Sequence, residues 1–268
     1  MNFDEQVQQI VQSTGKALLE RLSSIELEIK YKDNSHQNLV TDCDIWVQNQ
    51  LSESLQNILP EAHFFAEEKK NNQIAGLTWI VDPIDGTTNF ITQRKNFAIC
   101  VALYEDTKPI LGVVYDVAAG RCYHATAGQG AFVDHYALMP RTPKKVQEAM
   151  LDVSLGTLNE LSRKMGKPLY DVSRLVRGHR ASGTASLAMC RIAEGRLDAY
   201  LSSKLYPWDY AASGVILDEV QGIYTPLFTE DQLMQNERTA ILCSGDKELH
   251  KVFQHFFCGN TQHEGILS

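Results

Sequence analysis

Residues 77–90, Leu-Thr-Trp-Ile-Val-Asp-Pro-Ile-Asp-Gly-Thr-Thr-Asn-Phe, constrain the fold more than any other stretch of this chain. Residues 77–81 are apolar, with β-branched Thr78, Ile80 and Val81, and read as a buried strand. The strand runs into Asp82-Pro83, and a residue before proline is pushed to extended backbone, so Asp82 sits at the strand exit. Asp85-Gly86-Thr87-Thr88 then reads as a turn opening a helix. Free N–H groups at a helix start attract phosphate. Two carboxylates three residues apart beside such groups can hold a hard cation against a phosphate. Taken alone, Asp85 or Thr87 is an ordinary helix cap and Asp82 an ordinary turn residue. The reading therefore depends on what else the chain supplies.

The chain around this segment alternates in pattern. Residues 3–28 carry Val7, Ile10, Val11, Leu18, Leu19 and Leu22 at helical spacing. Residues 31–37 are polar and loop-like. A second helix has the stripe Val47, Leu51, Leu55 and Ile58, stops at Pro60, and has Asp42 and Asp44 at its N-terminal end. Residues 63–66 are apolar and end in Glu67-Glu68; residues 69–76 are polar and expected to be mobile. Strands at 97–104, 110–116 and 121–126 suggest an antiparallel meander, closed by a turn at Gly128 and Gly130. Pro140, Pro143, Lys144 and Lys145 mark a boundary between residues 1–140 and 141–268, two halves expected to pack as one catalytic unit. Beyond it, strands near 150–155, 176–181, 198–201 and 239–243 alternate with helices near 157–165, after Ser182-Gly183-Thr184 and after Trp208-Asp209, a pattern of α/β layering.

Composition removes several classes. Hydrophobic residues at 44% and charged residues at 22% are globular values, which excludes a disordered chain or a rod. No apolar run approaches the about 18 residues of a membrane span. The N-terminus has no basic region followed by an apolar stretch, so a cytoplasmic protein is expected. A net charge of -8 argues against nucleic acid or an anionic membrane as partner. The six cysteines are nowhere closer than fifteen residues, so they form no zinc-type pair and are expected to be reduced and mostly buried.

Two further carboxylates join the argument: Glu67, after its apolar run, and Asp209, after Tyr206-Pro207-Trp208. Together the segments resemble the inositol monophosphatase family of magnesium-dependent, lithium-sensitive phosphatases. Asn38-Leu39-Val40-Thr41-Asp42-Cys43-Asp44, Ala66-Glu67-Glu68, residues 79–90, Gly128-Gln129-Gly130-Ala131-Phe132, Ser182-Gly183-Thr184-Ala185 and Pro207-Trp208-Asp209 match its motifs in order across nearly the whole chain.

The resemblance implies a layered α-β-α-β-α sugar-phosphatase fold, α+β in the first half with an antiparallel sheet and α/β in the second, and a homodimer. It implies two or three Mg²⁺ ions. Glu67, Asp82 and the carbonyl of Ile84 would bind one, Asp82, Asp85 and Asp209 a second, and Glu67 would touch a weaker third. Thr87 and Asp44 would orient the attacking water, with Glu67 also catalytic. Gly86 and Thr87 would hold the phosphate, and Gly183, Thr184 and Ala185 would line the alcohol side, with Asp85 and Asp209 also facing the substrate. Mg²⁺ chemistry suits such carboxylates, which would be costly to keep ionised together without it. The substrate so implied is a small phosphorylated alcohol, inositol monophosphate first.

Departures bear on specificity. Family members specialised for inositol phosphate carry a glutamate where this chain has Ser202, and a short hydroxyl reaches less far. Lys204 nearby, or Arg177 and Arg180, offers a charge for a second phosphate, which keeps fructose 1,6-bisphosphate and NADP open as substrates. Ala66 replaces a glycine, and Gln221 interrupts the usual Glu-Ala-Gly-Gly. A haloacid dehalogenase mechanism would need Asp-x-Asp-x-Thr, and this motif is one residue too long and contains a proline. A binding protein that kept the fold without catalysis is the reading from another class.

Overall fold

The structure is a computed structural model that describes residues 2–23, 29–31, 39–68, 74–228 and 233–259. The chain opens with α1 (Phe3–Leu22), started by a reciprocal capping box in which Asn2 and Glu5 satisfy each other's backbone N–H groups. Its buried face is Val7, Val11, Thr14 and Leu18, the spacing of one helical stripe. The expected extension to residue 28 ends at Leu22, and 24–28 lie outside the described residues, as do 32–38 and 69–73 of the two polar stretches. Strands β1 (Ile29–Tyr31) and β2 (Leu39–Thr41) pair antiparallel, and Thr41 caps α2 (Asp42–Ile58).

The first large sheet has seven strands: β3 (His63–Ala66) and β4 (Leu77–Asp85), then, after α3 (Thr87–Gln93), β5 (Ala98–Glu105), β6 (Lys108–Asp116), β7 (Arg121–Thr126), β8 (Ala131–Val133) and β9 (Tyr136–Ala137). Strands β4 to β9 follow one another antiparallel, as the meander predicts, while β3 is parallel to β4. The strand expected to stop at Val81 continues through Pro83 to Asp85, with an irregularity against β5 between Asp82 and Asp85. Proline has no N–H to give a ladder, so the register slips there and both carboxylates are re-aimed.

The second sheet is built from β10 (Met150–Val153), then, after α4 (Leu155–Met165) and α5 (Val172–Leu175), β11 (Gly178–Arg180), and, beyond α6 (Ala185–Glu194), β12 (Ala199–Leu205). After α7 (Pro207–Glu219) come β13 (Ile223–Pro226), β14 (Thr239–Ser244) and finally α8 (Lys247–Cys258). The strand order is β11-β10-β12-β14-β13, parallel on the β10 side and antiparallel on the β14 side. Helix α7 begins at Pro207, two residues before Asp209, so Trp208 and Asp209 lie inside its first turn and not ahead of it. Proline at the first helical position explains the earlier start, because its missing N–H would have no partner there anyway.

Three apolar clusters set the layers. Helices α1 and α2 cover one face of the seven-stranded sheet. Helices α6 and α7 lie between the two sheets and share a core with both. Helices α4, α5 and α8 cover the far face of the second sheet. The order is α-β-α-β-α, the architecture expected. Closeness of the middle layer is explicit at Gly112 on β6, where a Cβ would lie 2.2 Å from the carbonyl oxygen of Ala212 on α7. Tyr104 of β5 donates to the Ala211 carbonyl at 3.1 Å, and Glu219 at the end of α7 accepts the N–H groups of Gly128 and Gly130 at 2.7 Å each. Two segments singled out in the sequence therefore bind each other. The six cysteines are unpaired, with Cys258 alone exposed.

Candidate active site

Strand β4, the turn before α6 and the first turn of α7 converge on one cavity of about 350 Å³, lined by Glu67, Asp85, Gly86, Thr87, Gly183, Thr184, Ala185, Lys204 and Asp209, with Thr88, Tyr200 and Leu205. Two of these lining residues meet Asp82: one carboxylate oxygen from each of Asp82, Asp85 and Asp209 lies within 4.8 Å of the others. Asp82 is 2% exposed, and its Oδ1 accepts the N–H of Ile84 at 3.0 Å. Asp209 accepts the N–H of Tyr206 at 2.7 Å, the capping bond of α7. Among the described residues, no Lys, Arg or His forms an ion pair with these three aspartates.

Asp85 does two jobs. It accepts the N–H groups of Ala185 at 3.3 Å and Ser186 at 2.9 Å and the Ser186 hydroxyl, so it caps α6 from a hundred residues away. Thr184, in the N-cap position, makes no capping bond, and its hydroxyl is buried without a partner. Burial raises the Asp85 pKa, the Ser186 and Ala185 donors lower it, and nearby Glu67 raises it, leaving it pushed up to about 6. Burial, followed by the charges of Glu67, Asp85 and Asp209, drives Asp82 well above the usual carboxylate range. Asp209 is raised by burial and then by Asp85 and Glu67. A cluster that resists ionisation when bare is what a divalent cation would neutralise, and an all-oxygen donor set suits Mg²⁺. The residues present fit the ion.

The turn between β4 and α3 requires glycine. Gly86 has φ +86°, and a Cβ there would lie 2.3 Å from Cγ2 of Thr184 and 3.0 Å from the Asn96 carbonyl oxygen. The two walls of the cavity, 86–87 and 183–185, thus touch at their backs. Asn89 fixes them together by donating to the carbonyls of Asn96 at 2.9 Å and Ser182 at 2.7 Å. Asp152 on β10 holds Ser182 from the other side through its N–H at 3.1 Å and its hydroxyl.

The remaining expected residues fall as follows. Thr87 donates its hydroxyl to the Ile84 carbonyl at 3.1 Å. Asp44 is 1% exposed; Oδ2 accepts the N–H and hydroxyl of Thr41 at 2.8 and 2.6 Å, and Oδ1 is buried with no partner. Burial, offset by the Thr41 bonds and reinforced by Glu67 and Glu68, pushes Asp44 up to about 7. Helix α3, which carries Thr87, packs beside β2, the strand that runs directly into the first turn of α2 where Asp44 sits. Ser202 does not line the cavity; its neighbours Tyr200 and Lys204 do. Arg177 and Arg180, beside and on β11, also lie outside the lining. Asn38 lies outside the described residues.

Sequence reasoning missed Ser186, Asn89, Asp152 and Tyr200. Ser186 and Asn89 follow or lie within quoted motifs and carry the signal of polar residues beside a helix start. Asp152 has no local signal, because its partner Ser182 is thirty residues away.

A family model described as the inositol monophosphatase family matches residues 2–260. The inositol-1-monophosphatase of Bacillus subtilis (strain 168) is 32% identical over 259 residues, covering 95% of this chain and 96% of that protein. Human inositol monophosphatase 1 is 30% identical over 223 residues, covering 80% of this chain and 79% of that protein. The crystal structure of inositol monophosphatase II from Staphylococcus aureus MSSA476 superposes with a TM-score of 0.77 at 28% identity, covering 92% of each chain.

Proposed function

The chain belongs to the inositol monophosphatase family and is a phosphoric monoester hydrolase, and from that premise we propose that it hydrolyses a small phosphorylated alcohol, inositol monophosphate first, with Mg²⁺ as its cofactor. The observation that carries the proposal is the convergence of Asp82, Asp85 and Asp209 within 4.8 Å at a cavity walled by two helix-opening turns. Asp82, Asp85 and Asp209, with Glu67 and the carbonyl of Ile84 alongside, would hold two or three ions. Mg²⁺ bound there supplies positive charge for phosphoryl transfer to water.

The chain's own residues do the rest. The first-turn N–H groups of α3 have no helical partners and receive phosphate oxygens at Gly86 and Thr87. Gly183, Thr184 and Ala185 position the alcohol side. The Thr87 hydroxyl, a rotor now donating to Ile84, and the unpartnered Oδ1 of Asp44 orient the attacking water. Inhibition by Li⁺, assembly as a homodimer and a cytoplasmic location belong to the same reading and rest on family membership. No described helix is long and apolar enough to cross a membrane.

The test is phosphate release from inositol 1-phosphate as Mg²⁺ is titrated, with Asp85→Asn alongside. Metal-dependent release, lost by about 100-fold or more in the variant, supports the reading. Release that persists in a chelator, or that survives Asp85→Asn, removes it.

A further inference from the structure

We infer that Asp152 is a positioning residue for the alcohol side of the active site, holding the 182–185 turn in the form that receives the substrate's hydroxyl groups; the inference rests on the phosphatase reading above. Asp152 does not itself line the cavity. It acts through Ser182, whose N–H it accepts at 3.1 Å and whose hydroxyl it also accepts. Ser182 leads directly into Gly183, Thr184 and Ala185, which do line the cavity.

The strand pattern alone gives no reason for a carboxylate at this position. On β10, Leu151 and Val153 belong to the core under the outer helices, and Met150 packs on the inner core, so alternation puts Asp152 on the inner face with Met150. An apolar side chain is what that face asks for. Asp152 is instead 4% exposed and, among the described residues, forms no ion pair. A carboxylate is costly to bury unless its oxygens are hydrogen-bonded, and both oxygens of Asp152 meet Ser182. In the parallel pairing Asp152 stands opposite Tyr200 of β12, a cavity-lining residue, so the clamp sits one strand away from the site. This pairing lies ahead of the bulge that β12 makes against β14 between Ser202 and Leu205, so its geometry is that of a regular sheet.

The second argument is what the clamp leaves over. Asn89 grips the same residue from the opposite side, donating to the Ser182 carbonyl at 2.7 Å. Asp85 accepts the N–H groups of Ala185 at 3.3 Å and Ser186 at 2.9 Å, so the turn is anchored at both ends. Between the anchors, the N–H groups of Gly183 and Thr184 take no hydrogen bond among the described residues, and the Thr184 hydroxyl is buried without a partner. Gly183 has φ +79°, and a Cβ there would lie 3.0 Å from Nδ2 of Asn89, so the chain has no slack on that side. Polar groups fixed in this way bind hydroxyl groups without first having to be ordered. Among the described residues, no hydrogen bond joins Asp152 to Gly86 or Thr87 on the phosphate side. Loss of Asp152 therefore loosens the alcohol side first.

The test measures kcat and KM for inositol 1-phosphate and for ethyl phosphate, whose alcohol has no further hydroxyl group. Asp152→Ala should raise KM for inositol 1-phosphate by about tenfold, the order expected when a hydrogen-bonded contact to substrate is lost, with kcat held within about threefold and KM for ethyl phosphate nearly unchanged. Asp152→Asn should restore most of the loss, since its amide oxygen can accept the Ser182 N–H while its amide nitrogen donates to the Ser182 hydroxyl oxygen. Ser182→Ala, which keeps the N–H bond, should raise KM for inositol 1-phosphate by about threefold alone and add nothing in the Asp152→Ala background. Equal KM changes for the two substrates, a loss confined to kcat, or an Asp152→Asn variant as impaired as Asp152→Ala would make Asp152 a scaffold residue and overturn the inference while leaving the phosphatase reading intact. If Asp152→Ala does not fold, Ser182→Ala decides, and an unchanged KM for inositol 1-phosphate overturns the inference. No release from either compound by the wild-type enzyme would overturn the phosphatase reading and the inference with it.

Discussion

Gly86→Ala tests whether the two walls of the active site are held apart by contact. Two costs can be read from the structure. Left-handed backbone at φ +86° costs a non-glycine residue about 1–2 kcal/mol. The new Cβ would also lie 2.3 Å from Thr184 Cγ2, far inside the ~3.5–4.0 Å of an ordinary carbon contact. Overpacking of that kind costs about 1–3 kcal/mol. The sum is about 2–5 kcal/mol, which for a chain of this length lowers the melting temperature by roughly 4–10 °C. Thr184→Ser separates the two costs, since serine keeps the hydroxyl and removes Cγ2. In a double-mutant cycle followed by urea unfolding, the pair should recover about 1–3 kcal/mol and retain the backbone cost. Turnover should fall by about 100-fold in Gly86→Ala, as expected for a displacement near 1 Å, and recover partly in the double variant. Energies that add within about 0.5 kcal/mol would refute the contact. A Gly86→Ala cost below about 0.5 kcal/mol would refute both terms.

Two further outcomes follow from features away from the site. Glu219→Gln leaves one acceptor oxygen for two N–H donors, so the 128–130 turn should loosen; a loss of about 1–2 kcal/mol, seen as a fall of roughly 2–4 °C in melting temperature, is expected, and an unchanged melt would remove the clamp. His250 is buried, and burial lowers its pKa to about 4 while Nε2 meets the Thr225 hydroxyl at 2.9 Å. The folded chain therefore holds this proton less tightly than the unfolded one, and the stability it confers is complete above about pH 6.5 and lost as pH falls toward 4. His250→Gln should flatten urea-derived stability over that window by up to about 1.4 kcal/mol per pH unit, and parallel curves would sink the assignment.

How much could be read in advance depended on whether partners were near in sequence. The 77–90 segment announced itself because a β-branched run, a proline and a helix-opening turn are local signals, and the alternation of strands and helices beyond residue 150 was legible for the same reason. Helix α8 was overlooked although Leu249, Phe253 and Phe257 form its buried stripe, because nothing in the expected motifs drew attention to it. The role of Asp85 as the cap of α6 was not legible, since its partners stand a hundred positions away. Lys204 was noticed as a charge beside Ser202, but the bulge that aims it comes from pairing with β14 and has no signature in β12 itself. Gln221 was read as a lost glycine; the structure shows it at φ 61°, still in the left-handed conformation that a glycine would have adopted freely.

The sandwiching of α6 and α7 between the two sheets also sets an order of events at the ribosome. The seven-stranded sheet is complete in sequence at Ala137, yet the helices that cover its inner face end only at Glu219, about eighty residues and roughly 4–16 s of synthesis later. Through that interval the side chains of Phe65, Ile80, Ala98, Cys100 and Val114 have no cover from the chain already made. The carboxylates of Asp82 and Asp85 meanwhile remain in contact with water and keep their charge. Closing the molecule therefore dries the sheet and crowds the carboxylates in a single motion, and α6 and α7 bring the hydrophobic gain and the electrostatic cost together.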